Sequence, residues 1–487
     1  MKTKSIHSML KSITLSIAVL LLTTNLSFGQ NKAEKIDKLM SQYAEYNQFN
    51  GSVLVAEKGK IIYKKGFGKA NMEWDIPNKS DTKHRLGSIS KQFTALLILQ
   101  LVEQGKLKLD VPIAAYLSDY PKKKADRITV YHLLTHTSGI PNYTSFPNFF
   151  KDVSRNPFAP EVFVKQFSDL PLEFKPGEKF AYSNSGYFLL GYIIEKVSGK
   201  SFEKNLQDFI FIPLNMKNTG YDNSSEILKN RASGYEKKGN EYVNSTFIDM
   251  SIPYAAGSLY STVEDLYLWD QALYENKILS SKSMELLFGN YIATGRGFYG
   301  YGWNINEVPN GSDKLRIIEH GGGINGFNTV ISRIPSDKNL VILLNNTGST
   351  NLGEMNKAIR AILYDKPFET PKISLAYALL NAVNEKGLVV GLEKLQEFKK
   401  SDKYSLKESE INDAGYQFLQ TDKTNEAIEF FKINVENFPK SGNAYDSLGE
   451  AYLKSGNKKL AIENYKKAVE LDATNENAKK ILEEISK

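Results

Sequence analysis

The segment that decides the fold is Leu86-Gly-Ser-Ile-Ser-Lys-Gln-Phe-Thr94, in which Ser88 and Lys91 stand three positions apart after Gly87. The apolar residues that follow predict a helix over Lys91–Glu103. At the start of a helix, the serine hydroxyl and the lysine amine lie one turn apart and can reach a common point. They can act as nucleophile and base if burial and a neighbouring cation lower the lysine pKa. The alternative is a capping serine beside a lysine that extends to solvent.

Segments typical of strands lie near both ends of the first 365 residues, with helical segments between them. Apolar residues alternate with other residues over 51–66 on either side of Lys58-Gly59, which is typical of a β-hairpin. A second strand pair is predicted for Thr329–Ile334 and Leu340–Leu344 around the turn Pro335–Lys338. A second helix is predicted over Tyr187–Val197. This order of elements predicts an α+β fold, with a largely antiparallel sheet covered by helices.

Composition excludes several classes of protein. The 487 residues are enough for two or three domains, and 27 Tyr and 26 Phe provide an ample core. No cysteine is present, which excludes disulfides, thiol nucleophiles and thiolate metal sites. The five histidines form no HExxH or HxH pattern, so a histidine-rich zinc site is not expected. A serine activated by a lysine amine implies no metal or organic cofactor. The formal charge of +7 falls to +4 without the first 29 residues and their three lysines, so nucleic-acid binding is not expected.

Residues 1–29 are typical of an export signal. Lys2, Lys4 and Lys11 precede an apolar stretch that runs from Ile13 to Leu22, and the small residue Gly29 follows. The apolar stretch is about half of the ~20 residues that a membrane-spanning helix needs. We therefore expect a cleaved signal peptide, no transmembrane anchor after cleavage, and a periplasmic or secreted protein.

The composition changes near residue 366, after which Ala, Leu, Glu and Lys dominate. A 34-residue period relates Gly415 and Phe431 to Gly449 and Tyr465. The segment Ala444–Tyr452 resembles the first helix of a tetratricopeptide repeat, in which small residues let paired helices approach. The prediction is a helical linker over residues 366–404 and repeats over 405–487. These helices either bind a protein partner or cap the preceding domain.

Two further motifs contain residue types suited to a hydrolytic site. Tyr182-Ser-Asn184 follows Pro176-Gly177; a tyrosine can relay a proton, and an asparagine amide can hold a substrate carbonyl. His320-Gly-Gly-Gly323 follows a strand-like run, and glycines on an edge strand let a substrate backbone approach while a free N–H stabilises an oxyanion. The alternatives are a turn-forming asparagine beside a packing tyrosine, and a glycine-rich turn.

The order and context of these motifs resemble the serine β-lactamase and penicillin-binding protein superfamily. The segments Ile128–Pro141, Phe174–Gly186 and Ala256–Asp265 extend the resemblance over roughly residues 35–365. It is strongest with class C β-lactamases, D-alanyl-D-alanine carboxypeptidases, D-aminopeptidases and related esterases. The resemblance implies a hydrolase domain over residues 30–365, in which a helical subdomain adjoins the sheet and the site lies in the cleft between them.

The resemblance also implies roles for individual residues. Ser88 would be the acylated nucleophile, and Lys91 and Tyr182 the proton-transfer pair. Asn184, His320, Gly322 and Gly323 would bind substrate, with the N–H groups of Ser88 and Gly323 forming the oxyanion hole.

His320 stands where many members carry a lysine that holds a substrate carboxylate. A neutral imidazole lacks that charge, and we expect its ionisation to vary around neutral pH. The expected protein is an exported serine hydrolase that cleaves a small amide or ester through an acyl-enzyme, such as a D-amino-acid peptide or a peptidoglycan-derived fragment. The alternatives are a penicillin-binding, sensor or scaffold protein with little turnover, and a true class C β-lactamase.

Overall fold

The computed structural model describes residues 31–238 and 241–486. The signal peptide predicted over residues 1–29 lies outside the described residues. The chain forms two compact units: residues 31–237 with 242–369, and a second unit that consists mainly of residues 370–486. Within the described ranges, every helix is too short or too polar to cross a bilayer.

The first unit is built on an eight-stranded sheet in which every neighbouring pair is antiparallel. Its strands, in chain order, are β1 (Gly51–Glu57), β2 (Lys60–Phe67), β3 (Ile292–Ala293), β4 (Phe298–Tyr299), β5 (Asn304–Asn310), β6 (Asp313–Ile324), β7 (Phe327–Ile334) and β8 (Asn339–Asn345). Their spatial order is β3-β4-β5-β6-β7-β8-β1-β2. The expectation of a large antiparallel sheet is confirmed, and the first strand pairs directly with the last.

Helices cover both faces of this sheet. Leu54 on β1 and Ile342 on β8 pack into one apolar core with the helices Ser90–Glu103, Asn184–Ser198 and Val263–Ala272. Val53 and Leu343, which point to the opposite face, pack with the helix over residues 31–45 and with Leu352–Leu363. Burial on both faces explains why β1 and β8 consist of continuous apolar runs rather than alternating ones.

The segment between β2 and β3 supplies most of the helices that build the site. The predicted helix over Lys91–Glu103 is observed as Ser90–Glu103. The predicted helix over Tyr187–Val197 begins earlier, at Asn184, because the Ser183 hydroxyl accepts a hydrogen bond from the Gly186 N–H and caps the first turn.

Short elements complete the first unit. Its other helical segments are Gly87–Ile89, Ile113–Ala115, Lys122–Ala125, Val130–Leu134, Tyr143–Ser145, Phe149–Val153, Pro160–Phe163, Lys165–Ser168, Phe202–Leu206, Gln207–Phe211, Tyr254–Gly257, Ser281–Leu287 and Pro335–Asp337. Its other strands are Lys69–Asn71, Ile76–Pro77, His84–Arg85, Gly220–Tyr221, Tyr235–Lys238, Glu241–Asn244 and Leu259–Ser261.

The second unit is helical apart from a two-residue strand pair, Ile373–Ser374 with Tyr404–Ser405. Its helices are Leu375–Lys386, Leu388–Lys399, Glu408–Gln420, Thr424–Asn437, Gly442–Lys454, Lys458–Leu471 and Glu476–Ser486. A Cβ at Gly415 would lie 2.5 Å from the Phe431 ring, and one at Gly449 would lie 3.1 Å from the Tyr465 ring. The period therefore corresponds to repeated close helix packing, whereas membership of the tetratricopeptide family stays a prediction.

We expect Gly415→Ala to destabilise the second unit. Alanine favours a helix by about 1 kcal/mol over glycine, but its Cβ would overlap the fully buried Phe431 ring, and overpacking costs about 1–3 kcal/mol. Urea unfolding followed by helical circular dichroism should show a loss on the order of 1 kcal/mol. Adding Phe431→Leu should recover part of it, whereas a more stable Gly415→Ala protein would contradict the close packing.

Candidate active site

Ser88 lies in the turn Gly87–Ile89, directly before the helix Ser90–Glu103. Gly87 has φ +55, a left-handed conformation that favours glycine. A Cβ at this position would also lie 2.8 Å from the Gly323 nitrogen. Gly87 therefore lets the turn that carries Ser88 lie directly against strand β6.

The glycine motif lies within β6, whereas the sequence placed it directly after a strand. β6 is flanked by β5 and β7, but its pairing with β5 ends at Asn304 opposite Glu319, while its pairing with β7 continues to Ile324. Residues 320–324 therefore have a neighbouring strand on one side only. A Cβ at Gly322 would lie 1.9 Å from the Leu86 carbonyl oxygen, whereas one at Gly323 would meet no atom within 4 Å. Gly322 thus serves close packing, and Gly323 faces the open cleft.

Lys91 is fully buried, and its amine meets three oxygen atoms. The Nζ atom lies 2.8 Å from Asn184 Oδ1, 2.8 Å from the Ala256 carbonyl oxygen and 3.1 Å from Ser88 Oγ. Two of these oxygens, on Asn184 and Ala256, can only accept hydrogen bonds. A neutral amine would give its two N–H groups to them, which leaves its lone pair to accept the Ser88 hydroxyl proton.

Burial favours this neutral form of the lysine. Loss of hydration lowers the Lys91 pKa well below its usual value. The sequence-based expectation required a neighbouring cation as well, but burial is the cause found here. The Tyr182 and Tyr187 rings, whose centroids lie 4.9 and 5.5 Å from Nζ, form part of the wall that excludes water.

The Tyr182 side chain is half-buried, and its protonated hydroxyl is shielded from solvent beside Ser88. Burial raises its pKa strongly, and the interaction with the Ser88 hydroxyl opposes that rise only in part. Within the described residues, its hydroxyl forms no well-aligned hydrogen bond. The phenol therefore faces Ser88 with its proton available for transfer.

His320 lies in the wall behind the cleft rather than in its lining. Its Nδ1–H donates to the Gly321 carbonyl oxygen at 2.6 Å, so Nε2 accepts from the Tyr299 hydroxyl at 3.0 Å. Burial lowers the pKa of the imidazole to about 4. The expectation that its charge varies around neutral pH is therefore wrong, because the ring is neutral throughout that range.

His136 is a site residue that the sequence interpretation did not single out. It is buried, with a left-handed φ of +57, and its ring centroid lies 4.2 Å from that of Tyr182. Its Nδ1 accepts a hydrogen bond from the Ser183 N–H at 3.1 Å, which fixes the segment carrying Tyr182 and Asn184. The histidine does lie in the quoted segment Ile128–Pro141, but no local pattern indicates that it packs against a tyrosine 46 positions later.

A cleft of about 320 Å³ opens in front of Ser88. Ser88, Asn184 and Gly323 line it, whereas Lys91, Tyr182 and His320 do not. Most of the remaining wall is apolar or aromatic, with Tyr143, Phe149, Phe150, Ile248, Ile252 and Pro253. Glu236 is the charged side chain in the lining. The structure thus brings the predicted serine, asparagine and Gly323 to one cleft and places the proton-transfer candidates directly behind it.

The depressed pKa of His320 predicts acid sensitivity. Between pH 6.5 and about 4, this histidine binds a proton in the unfolded chain but not in the folded one. The free energy of unfolding therefore falls as the pH drops through this window, by up to about 1.4 kcal/mol per pH unit. We expect His320→Gln to show a shallower decline in urea unfolding between pH 6.5 and 4.

Tyr299→Phe is the matched control, because it removes the hydrogen bond to His320 without removing a group that titrates in this range. It should keep the wild-type pH dependence. Equal slopes for wild type and His320→Gln would contradict a neutral buried imidazole.

Comparison with known proteins places this fold and site in a family. The β-lactamase family model matches residues 36–364. The chain is 34% identical to penicillin-binding protein 4* of Bacillus subtilis, over 70% of this chain and 78% of that protein. It is 29% identical to a teichoic acid D-alanine hydrolase of Staphylococcus aureus, over 70% and 80% respectively. The structure of D-amino acid amidase from Ochrobactrum anthropi SV3 aligns with a TM-score of 0.57 and 25% identity, covering 70% of this chain and 97% of that one. This chain belongs to the β-lactamase and penicillin-binding protein superfamily of serine hydrolases.

Proposed function

We propose that this protein hydrolyses a small amide or ester through an acyl-enzyme formed on Ser88. The observation that carries the proposal is the set of partners around the Lys91 amine. Asn184 and Ala256 each supply an obligate acceptor at 2.8 Å, and Ser88 Oγ occupies the third position at 3.1 Å. A buried neutral amine in this setting is a base aimed at one hydroxyl.

The reaction then follows from the geometry. The Ser88 oxygen attacks the substrate carbonyl carbon while its proton passes to the Lys91 lone pair. The negative charge on the former carbonyl oxygen develops beside the Ser88 and Gly323 backbone, where N–H groups can stabilise it. Tyr182, protonated because its pKa is raised, gives a proton to the leaving group and recovers one from Lys91. Water activated by the same base then releases the acyl group and restores Ser88.

A D-amino-acid amide or ester is the proposed substrate class. Two similar proteins act, by name, on D-alanine in teichoic acid and on D-amino acid amides. The described cleft lining contains no lysine or arginine, and His320 is neutral behind it. Substrates that depend on a fixed cation to hold a carboxylate, as penicillins do in many members, are therefore disfavoured.

Stable acylation with little turnover is the second candidate. The similarity to penicillin-binding protein 4* favours it. The two candidates differ in time course, because a binding protein gives one burst of product per Ser88, whereas a hydrolase continues to turn over.

Ser88→Ala should abolish labelling by a fluorophosphonate probe and turnover of D-alaninamide and 4-nitrophenyl acetate. Lys91→Met keeps the size of the side chain but removes the base, so we expect kcat/KM to fall on the order of 10²–10⁴-fold. Ser90→Ala is the control. Ser90 is a neighbouring serine, but its hydroxyl accepts a hydrogen bond from the Leu259 N–H and not from the Lys91 amine. Labelling of Ser88→Ala equal to wild type would overturn the mechanism.

We also expect a cephalosporin to react more slowly than its methyl ester. The free carboxylate would lose hydration beside the Glu236 carboxylate without gaining a cation in the lining. The neutral ester avoids this penalty, which corresponds to about 10–100-fold in kcat/KM. The measurement compares kcat/KM for a chromogenic cephalosporin as the free acid with kcat/KM for its methyl ester, using the same protein. A clear preference for the acid would contradict the proposed substrate class.

A further inference from the structure

The cleft contains an anionic side chain without a cationic partner. Glu236 lines the same cleft as Ser88, and the other lining residues are uncharged. Its Oε1 accepts a hydrogen bond from the Gly326 N–H at 2.9 Å. Among the residues that the structure describes, Glu236 forms no ion pair. A half-buried carboxylate in an otherwise uncharged wall retains its attraction for a cation better than a fully hydrated one does.

The surrounding backbone holds this carboxylate in place. The Tyr235 N–H donates to the Asn346 carbonyl oxygen at 3.1 Å, and the Gly348 N–H donates to the Tyr235 carbonyl oxygen at 2.8 Å. The strand that carries Glu236 is therefore tied to the segment that follows β8. The carboxylate rests on Gly348, where a Cβ would lie 2.1 Å from Oε2. Fixed backbone and close packing make Glu236 a preorganised group rather than a flexible surface side chain.

A short backbone segment links the place where Glu236 is bound to the reaction centre. Its hydrogen-bond donor, Gly326, lies in the two-residue turn between β6 and β7. Gly326 is three residues after Gly323, and three extended residues span at most about 10 Å. Gly323 in turn lies against the turn that carries Ser88. A substrate whose carbonyl carbon lies at Ser88 can therefore contact Glu236 through a group that is separated from that carbonyl by several bonds.

We propose that Glu236 binds a primary ammonium group carried by the acyl part of the substrate. The inference rests on the proposed function, because it assigns a substrate feature to the same cleft. An ammonium donates charge-assisted hydrogen bonds to the carboxylate, and Oε2 is free of the Gly326 contact. The ammonium belongs either to an α-amino group beside the scissile carbonyl or to the end of a longer amino-acid side chain. Both kinds of substrate present the same ammonium chemistry, and they differ in the distance between the ammonium and the scissile carbonyl.

Two matched pairs of 4-nitrophenyl esters test the proposal. The D-alanyl ester differs from the isobutyryl ester by an ammonium in place of a methyl group, and the 6-aminohexanoyl ester differs from the heptanoyl ester in the same way. After subtraction of spontaneous hydrolysis, wild type should prefer the cationic member of at least one pair. Glu236→Gln should lower the ratio of kcat/KM for the cationic ester to kcat/KM for the neutral ester about tenfold.

Glu307→Gln is the matched control. It removes the same charge from an exposed residue on β5 that pairs with Lys314 and lies outside the cleft lining. This variant should keep the wild-type preference. The pair that responds to Glu236→Gln identifies the position of the ammonium, and an unchanged preference in both pairs would overturn the inference.

A binding measurement separates this inference from the proposed function. Absence of Ser88-dependent turnover of any ester would refute the proposed hydrolase but not the ammonium site. Calorimetric titration of the Ser88→Ala protein with hexylammonium and with hexan-1-ol does not require turnover. Stronger binding of hexylammonium that is lost in Ser88→Ala/Glu236→Gln supports the site, and equal binding of the two ligands overturns it.

Discussion

Removal of the Lys91 amine from water is the constraint on which the rest of the site depends. A charged ammonium in this position would lose its hydration without gaining a carboxylate partner, so burial shifts the equilibrium towards the neutral base. The two carbonyl acceptors come from different segments, Asn184 at the start of one helix and Ala256 in the short helix Tyr254–Gly257. The second of these is held firmly, because Thr94 donates to the adjacent Ala255 carbonyl oxygen at 2.6 Å. Three distant parts of the chain thus converge on one nitrogen atom.

The site separates two electrostatic environments. Behind Ser88, burial keeps Lys91, His136 and His320 uncharged by lowering their pKa values, and it keeps Tyr182 protonated by raising its pKa. In front of Ser88, the cleft carries a single type of charge, the Glu236 carboxylate. The inner region suits proton transfer between neutral groups, and the outer region suits selection among substrates by charge.

Sequence alone predicts the parts of this arrangement that depend on local spacing. The helix that carries Lys91 follows from apolar periodicity, and the Ser88–Lys91 contact follows from a separation of one helical turn. The neutral state of His320 could not be predicted, because it depends on burial by residues that are distant in the sequence. Glu236 was missed for the same reason. It lies in a short strand between a tyrosine and two lysines, and only the turn between β6 and β7 and Gly348 bring its carboxylate to the cleft.

The pairing of β1 with β8 sets the order in which this protein can assemble during synthesis. The Asn50 N–H bonds to the Asn345 side chain across 295 positions, and Ser88 lies beside a glycine strand from the other end of the unit. Contacts between such distant residues slow folding, because a long loop must close before they form. A ribosome that has translated only the helical middle of the chain therefore carries a polypeptide in which β1 lacks β8 and Ser88 lacks the glycine strand beside it. The cleft in front of Ser88 is completed late, when the last strands of the sheet become available.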